Sequence, residues 1–233
     1  MQRRDFIRLC ASGIATTGLP SGVAAKNPLA RFYARTKLLD RNDKPLLAAN
    51  LPARKSLIFH YPYATTPCFL INLGKPARAK ATLKTAGNQT YEWAGGVGRA
   101  GSIVAYSAIC AHQLAYPTRQ ISFISFRAEA SAQNKHAEVI HCCAEHSQYD
   151  PAAGARVVAG PAPQPLAAIL LEHNARTDEL TAVGTLGGEM FDQFFAKYEF
   201  KLAIENNGAV RQPVTGSTVV TELDDYCRQQ VRC

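Results

Sequence analysis

Short apolar segments separated by turn-forming residues recur through the middle of the chain. Each segment is rich in β-branched or aromatic residues and is bounded by Gly, Pro or Asn. In chain order they are SLIFHYP, CFLINLG, GSIVAYSAIC, ISFISFRA, AEVIHCC and PLAAILLEH. A succession of short strands of this kind is typical of an all-β domain, which is the fold class that we predict.

One segment near the C-terminus, GGEMFDQFFAKYEFKL, has the period of a helix instead. Its aromatic residues recur at positions i, i+3, i+4 and i+7, namely Phe191, Phe194, Phe195 and Tyr198. The pattern predicts a helix that begins after the glycine pair 187–188 and packs its aromatic face on its own domain. A docking face for a partner subunit is the alternative. A final short strand is expected in STVVTEL.

The first residues have the pattern of an export signal. Arg3 and Arg4, in the sequence RRDFI, precede a mildly apolar stretch at residues 9–25 that ends in small residues. This arrangement is typical of a twin-arginine signal, which we predict over residues 1–25, and it implies a periplasmic protein. The stretch is shorter than the roughly 20 apolar residues that span a bilayer. We therefore favour cleavage, and expect membrane association only if the signal is retained.

Composition and charge narrow the range of partners. The chain has 233 residues, of which 47% are hydrophobic and 19% are charged, as in a globular protein. Its formal net charge is +8, and the positive residues are scattered rather than clustered. Such a charge favours docking to an acidic redox partner. Because no basic run is interleaved with aromatic residues, binding of nucleic acid is not expected.

Cysteine and histidine stand close together in two segments, each at the end of a predicted strand. The first segment holds Cys110 and His112, and the second holds Cys142, Cys143 and His146. Both are expected to be loops that the strands present. Zinc sites with two ligands of each type usually combine C-x2–4-C with H-x3–5-H, whereas each segment here holds both types. The mixed arrangement suits a binuclear iron cluster in which one iron binds both cysteines and the other both histidines.

Taken together, these motifs resemble those of a Rieske [2Fe–2S] protein. That family has a C-x-H loop, a C-x2-H loop followed closely by S-x-Y-D, and a later Gly-Pro-rich loop over the cluster. This chain has CAH at 110–112, CAEH at 143–146, SQYD at 147–150 and GPAP at 160–163. The resemblance covers about residues 58–172. Parts of it are similar to the arsenite oxidase small subunit, and the proline loop is shared with quinol-oxidising Rieske subunits of the cytochrome bc type.

The resemblance implies a Rieske-type antiparallel β-sandwich or barrel with a cluster-binding subdomain, and one [2Fe–2S] cluster as cofactor. It implies four metal ligands, which are Cys110, His112, Cys143 and His146. The C-x2-H spacing selects Cys143 over its neighbour Cys142. The other histidines are expected to be ordinary strand and loop residues.

Four further residues are expected around the cluster, again because of the resemblance. The hydroxyl of Ser147 would donate to a bridging sulfide, and that of Tyr149 to a cysteine sulfur, that of Cys110. Gly160 and Pro161 would belong to the loop that covers the cluster. Hydrogen bonds to the sulfurs favour the reduced state, so a midpoint potential in the upper part of the Rieske range is expected.

The chain departs from the family pattern in its second loop and in its cysteines. Many Rieske proteins carry a disulfide that braces the two cluster loops, but its positions are Ala115 and either Ala144 or Glu145 here. The loop is also one residue shorter, since His146 is followed directly by Ser147 where the family usually has an intervening glycine. The remaining cysteines leave two pairings open, Cys227 with Cys233 and Cys68 with Cys142.

The sequence therefore divides into an export signal at residues 1–25, an N-terminal arm at 26–57, a Rieske domain at 58–172 and a C-terminal extension at 173–233 that contains the helix. An insertion at 122–138 lies between the two loops and is expected to be a hairpin tip of unknown role.

The resemblance implies periplasmic one-electron transfer, as a subunit or partner of a larger oxidoreductase of the arsenite oxidase type. Electrons would come from a larger catalytic subunit and pass to a cytochrome c or a similar acceptor. A quinol-oxidising subunit of a cytochrome bc-like complex is the alternative, and a zinc-stabilised binding module is a third hypothesis. No residue of the chain is expected to be catalytic by itself.

Overall fold

The computed structural model describes residues 28–131 and 135–233, which form sixteen β-strands and two α-helices. In chain order the strands are β1 (Ala30–Leu39), β2 (Leu57–His60), β3 (Pro67–Asn72), β4 (Ala81–Lys84), β5 (Thr90–Trp93), β6 (Ile103–Ser107), β7 (Ile121–Ser122), β8 (Ile124–Arg127), β9 (Val139–Cys142), β10 (Ser147–Asp150), β11 (Arg156–Ala159), β12 (Ala168–His173), β13 (Leu180–Leu186), β14 (Gly216–Val219), β15 (Thr221–Glu222) and β16 (Gln229–Gln230). The helices are α1 (Phe191–Glu205) and α2 (Leu223–Tyr226). The predicted signal at residues 1–25 lies outside the described residues.

The predicted all-β class is confirmed by a main sheet of eight strands, in the order β14-β1-β13-β12-β6-β3-β2-β15. Neighbouring strands pair antiparallel except β14, which runs parallel to β1. Phe69 and Ile71 of β3 enter one hydrophobic cluster, whereas Cys68 and Leu70 enter a second. Successive side chains of a strand point to opposite faces, so β3 is buried on both. This explains why CFLINLG is a continuous apolar run rather than an alternating one.

A smaller sheet carries the second cysteine–histidine segment. Its four strands pair antiparallel in the order β11-β10-β9-β8. β8, which lies within the predicted insertion at 122–138, pairs antiparallel with β9, and residues 132–134 of the insertion lie outside the described residues. The two further pairs, β4 with β5 and β7 with β16, were not expected from the sequence.

The predicted helix is confirmed as α1, and its aromatic face packs on its own domain. Phe194 and Phe195 are fully buried. The ring of Phe194 meets Tyr116 edge to face at 4.9 Å, and Tyr116 follows the first cysteine–histidine loop by four residues. The helix therefore supports the chain just beyond that loop. On its outer side, Phe200 is 82% exposed.

Strands from the predicted arm and extension complete the main sheet. The arm contributes β1, and the extension contributes β13, β14 and β15. β13 lies between β1 and β12, so the sheet joins strands from residues 26–57, 58–172 and 173–233. The boundaries themselves remain predictions. No α-helix in residues 28–131 or 135–233 combines the length and apolarity needed to cross a bilayer.

Two phenylalanines of α1 provide a matched test of its packing. Phe194→Ala should lower the free energy of unfolding by about 3–5 kcal/mol, because the substitution leaves a cavity among aromatic rings. Phe200→Ala should change it by less than about 0.5 kcal/mol, since that ring is exposed. Urea unfolding followed by circular dichroism measures both values. Equal effects of the two substitutions would contradict the packing of α1.

Candidate metal centre

The first loop is a tight turn that buries its cysteine. Cys110 follows β6, its N–H donates to the carbonyl of Ala115 at 2.8 Å, and the N–H of Leu114 donates back to its carbonyl at 3.0 Å. Its side chain is fully buried, whereas His112 is half-buried. The hydroxyl of Tyr149, on β10, lies 3.3 Å from the Cys110 sulfur. The predicted contact between these two residues is thus present.

The second loop connects β9 to β10 through residues 143–146. Cys142 and Ser147 are cross-strand partners and close the hairpin. His146 has a φ of +58°, in the left-handed region that favours glycine. It directly precedes Ser147, where the family pattern has its glycine, so the shortened loop places a histidine in a glycine conformation. Ala144, Glu145 and His146 are all exposed.

Side-chain alternation along β9 separates the two adjacent cysteines. Ile140 and Cys142 face the core cluster that contains Cys110 and Tyr149. The neighbouring Cys142 thiol is also the largest cause that lowers the pKa of Cys110. Cys143 is the next residue and points the other way. The structure therefore brings Cys142, and not the predicted Cys143, to the first loop.

Cys143 forms a disulfide with Cys233, ninety residues further along the chain. A disulfide sulfur is not a thiolate, so Cys143 offers no such ligand in this structure. This corrects the choice of Cys143 over Cys142, which rested on spacing counted along the sequence and ignored strand alternation. Neither of the two pairings that the sequence left open forms, because Cys68, Cys142 and Cys227 are free.

Cys110 and Cys142 share one proton in a setting that favours negative charge on Cys110. The Cys142 hydrogen bond, followed by those of Tyr149 and of the His112 and Gln113 backbone, lowers the pKa of Cys110 to about 6 despite its burial. The pKa of Cys142 is raised, because its proton is held by Cys110 and because it is buried. Burial and the nearby Cys110 sulfur likewise raise the pKa of Tyr149, which stays a hydrogen-bond donor.

Two polar atoms beside the sulfur pair are buried without a hydrogen-bond partner. They are Nδ1 of His112, in the first loop, and Oγ of Ser147, the cross-strand partner of Cys142. An unsatisfied buried polar atom costs about 1–3 kcal/mol, so native proteins rarely retain one without a reason. A group bound between the loops would satisfy both atoms if it offered a metal ion to the His112 nitrogen and a hydrogen-bond acceptor to the Ser147 hydroxyl.

His146 and His141 lie close to the Cys143–Cys233 disulfide. The side chains of His141, His146 and Cys233 each offer one atom that could bind a metal, and these three atoms lie within 4.8 Å of one another. The His141 ring nitrogens are 3.5 and 3.6 Å from the Cys233 sulfur. Burial, and then the neighbouring His146, lower the pKa of His141. His141 was expected to be an ordinary strand histidine, and no feature of the sequence links it to a residue at the C-terminus.

The Gly-Pro-rich loop packs directly on the second hairpin. A Cβ atom at Gly160 would lie 2.5 Å from the carbonyl oxygen of His146 and from the Cα of Ser147, and its φ is +84°. Only glycine fits this close approach and conformation. Pro161, which follows, is exposed. The predicted loop thus lies against the predicted ligand loop through Gly160.

No protein-family model matches the chain. Among solved structures, the chain is similar to the soluble domain of the Rieske protein II (soxF) from Sulfolobus acidocaldarius. The sequences are 26% identical, the match covers 67% of this chain and 82% of that chain, and the TM-score is 0.47.

In the metal-free protein, Cys110 should ionise at a pH of about 6, well below the value of about 8.5 for a free cysteine. Cys142→Ala removes the largest cause of that shift and should raise the pKa. The ultraviolet absorbance of the thiolate, recorded against pH, measures the change. Cys68→Ala, at a buried free cysteine of the other hydrophobic cluster, should leave the titration as it is. If no thiolate forms near pH 6 in the unmodified chain, the shared-proton arrangement is refuted.

Proposed function

We propose that this protein carries single electrons through a Rieske-type [2Fe–2S] cluster held between its two cysteine–histidine loops. The observation that carries this proposal is the buried pair of Cys110 and Cys142, with the Tyr149 hydroxyl 3.3 Å from the Cys110 sulfur. The partnerless buried atoms of His112 and Ser147 lie on the same two loops.

The donor set fits such a cluster with one change from the sequence-based ligands. Cys110 and Cys142 would supply the two sulfurs, and His112 would supply a nitrogen through its partnerless Nδ1. His146 would supply the second nitrogen, which requires its exposed side chain to turn from its position beside His141 and Cys233 toward the sulfur pair. When bound, a cluster with two thiolate and two imidazole ligands exchanges one electron at a time at a potential raised by the neutral imidazoles.

The chain's own polar groups stabilise negative charge at the sulfurs. The Tyr149 hydroxyl lies 3.3 Å from the Cys110 sulfur, and the backbone of Ala144 and Glu145 acts to lower the pKa of Cys142. The partnerless hydroxyl of Ser147 is free to donate to an acceptor between the loops. Burial of both sulfurs keeps water away from them, and the exposed hairpin at residues 144–146 leaves one side open to a redox partner.

The partner in this proposal is a larger oxidoreductase, to which the chain would belong as a periplasmic electron-transfer subunit. Three features support it: the resemblance to the arsenite oxidase small subunit, the RRDFI signal pattern, and the scattered positive charge that favours an acidic partner. A cytochrome c or a similar protein would accept the electrons.

The purified protein should contain two iron and two sulfide ions per chain and give a rhombic electron paramagnetic resonance signal when reduced. Pulsed measurements should detect two coupled imidazole nitrogens, and His112→Ala should remove one of them or the whole cluster. The matched control is His173→Ala, at an imidazole that pairs with Asp178. A colourless protein with one zinc per chain would refute the proposal and support the binding-module hypothesis.

The two hydroxyl groups at the site should raise the midpoint potential. Each hydrogen bond that is stronger by about 1 kcal/mol in the reduced state raises the potential by about 40 mV. Ser147→Ala and Tyr149→Phe should therefore each lower the midpoint measured by protein-film voltammetry. Tyr33→Phe serves as the control, because that hydroxyl binds Glu189. A midpoint that does not fall in either of the first two variants would contradict these roles.

A further inference from the structure

We propose that the C-terminal tail, defined here as residues 227–233, is a covalent brace for the second cluster loop. In this inference the Cys143–Cys233 disulfide holds the loop's two ligands, Cys142 and His146, in position. It rests on the proposed cluster and goes beyond it, because it assigns a positioning role to a cysteine at the far end of the chain.

The tail first runs alongside the segment that follows the first loop. β16 pairs in parallel with β7, and hydrogen bonds extend that pairing on both sides. The N–H of Arg228 donates to Arg119 at 3.1 Å, and the N–H of Val231 donates to Ser122 at 2.9 Å. Cys227, which precedes β16, is buried in the same core cluster as Cys110 and Cys142. The tail is therefore anchored to the body of the protein before it reaches the loop.

The tail then crosses to the second loop. The guanidinium of Arg127 binds the carbonyl of Val231, and the next residue but one, Cys233, is bonded to Cys143. Cys143 is further held by its N–H, which donates to the carbonyl of Phe123 at 2.6 Å. The disulfide thus ties the second loop to a strand segment that begins nine residues after His112.

The tip of the second loop faces solvent, apart from the contact of its backbone with Gly160. Its residues 144–146 are exposed, and His146 is held at a positive φ that a non-glycine residue adopts at a cost. The two positions from which related proteins brace the loops are Ala115 and residues 144–145, which contain no cysteine. A cross-link at Cys143 supplies a constraint that these positions do not.

The brace reaches both ligands of the loop. Cys142 is covalently adjacent to Cys143, so fixing one fixes the backbone of the other. On the other side, a ring nitrogen of His146 lies within 4.8 Å of the Cys233 sulfur. Loss of the cross-link would therefore free the hairpin and leave more of the site open to water. Greater solvent exposure of a cluster changes its potential.

Cys233→Ser and Cys143→Ser, made in the full-length cluster-containing protein, test the brace. Both variants should fold and load a cluster, lose iron to a chelator roughly tenfold faster or more, as expected when a stabilising cross-link is removed, and show a shifted midpoint potential. The double variant should match the single ones. Arg228→Ser, at an exposed residue of the same tail outside the disulfide, is the control and should behave like the unmodified chain.

A dithiol reductant gives a second test without a substitution. It would transfer two electrons and two protons to the disulfide, leave Cys143 and Cys233 as thiols, and itself close to a cyclic disulfide. The unmodified protein should then lose iron as fast as the variants. The double variant, treated identically, should show no further change, which separates this effect from attack of the dithiol on iron.

The outcomes separate the brace from the proposed function. An unmodified protein without iron and sulfide defeats the proposed function, and the brace with it. A loaded protein whose two single variants retain iron and potential defeats the brace alone. Loss of the cluster in Cys143→Ser with no effect of Cys233→Ser also defeats it, because Cys143 would then be a ligand.

Discussion

The alternation of side chains along β9 is the constraint on which the rest of the site depends. A strand sends successive residues to opposite faces, so two adjacent cysteines cannot serve one site. Cys142 faces the core and meets Cys110, whereas Cys143 faces outward and meets Cys233. As a result, the two adjacent cysteines differ chemically: Cys142 is a thiol next to Cys110, and Cys143 is part of a disulfide.

On the core-facing side of β9, the fold places hydrogen-bond donors near the sulfurs of Cys110 and Cys142. The first loop closes on itself so that backbone N–H groups point at Cys110, and β10 delivers the hydroxyl of Tyr149 to the same sulfur. Gly160 lets the proline loop lie against the hairpin backbone. These contacts need the main sheet and α1 as a platform, since Tyr116, just past the first loop, is held in the aromatic cluster of the helix.

Much of the fold could be predicted from the chain, because short apolar runs and the aromatic period of α1 are local signals. The loops that hold Cys110, His112 and His146 could also be predicted from their motifs. The choice between Cys142 and Cys143 could not be made from spacing, since it depends on which face of β9 is buried. Cys143 and Cys233 are separated by 90 positions in the sequence, so no local pattern predicts their pairing.

Cys142 is the second sulfur ligand of the proposed cluster, and the electron paramagnetic resonance spectrum of two purified variants tests this most directly. Cys142→Ser should abolish the signal of the cluster or replace it by a grossly altered one, because a ligand is lost. Cys143→Ser should keep a rhombic signal of the same type at comparable initial occupancy. An intact signal in Cys142→Ser together with its loss in Cys143→Ser would contradict the account.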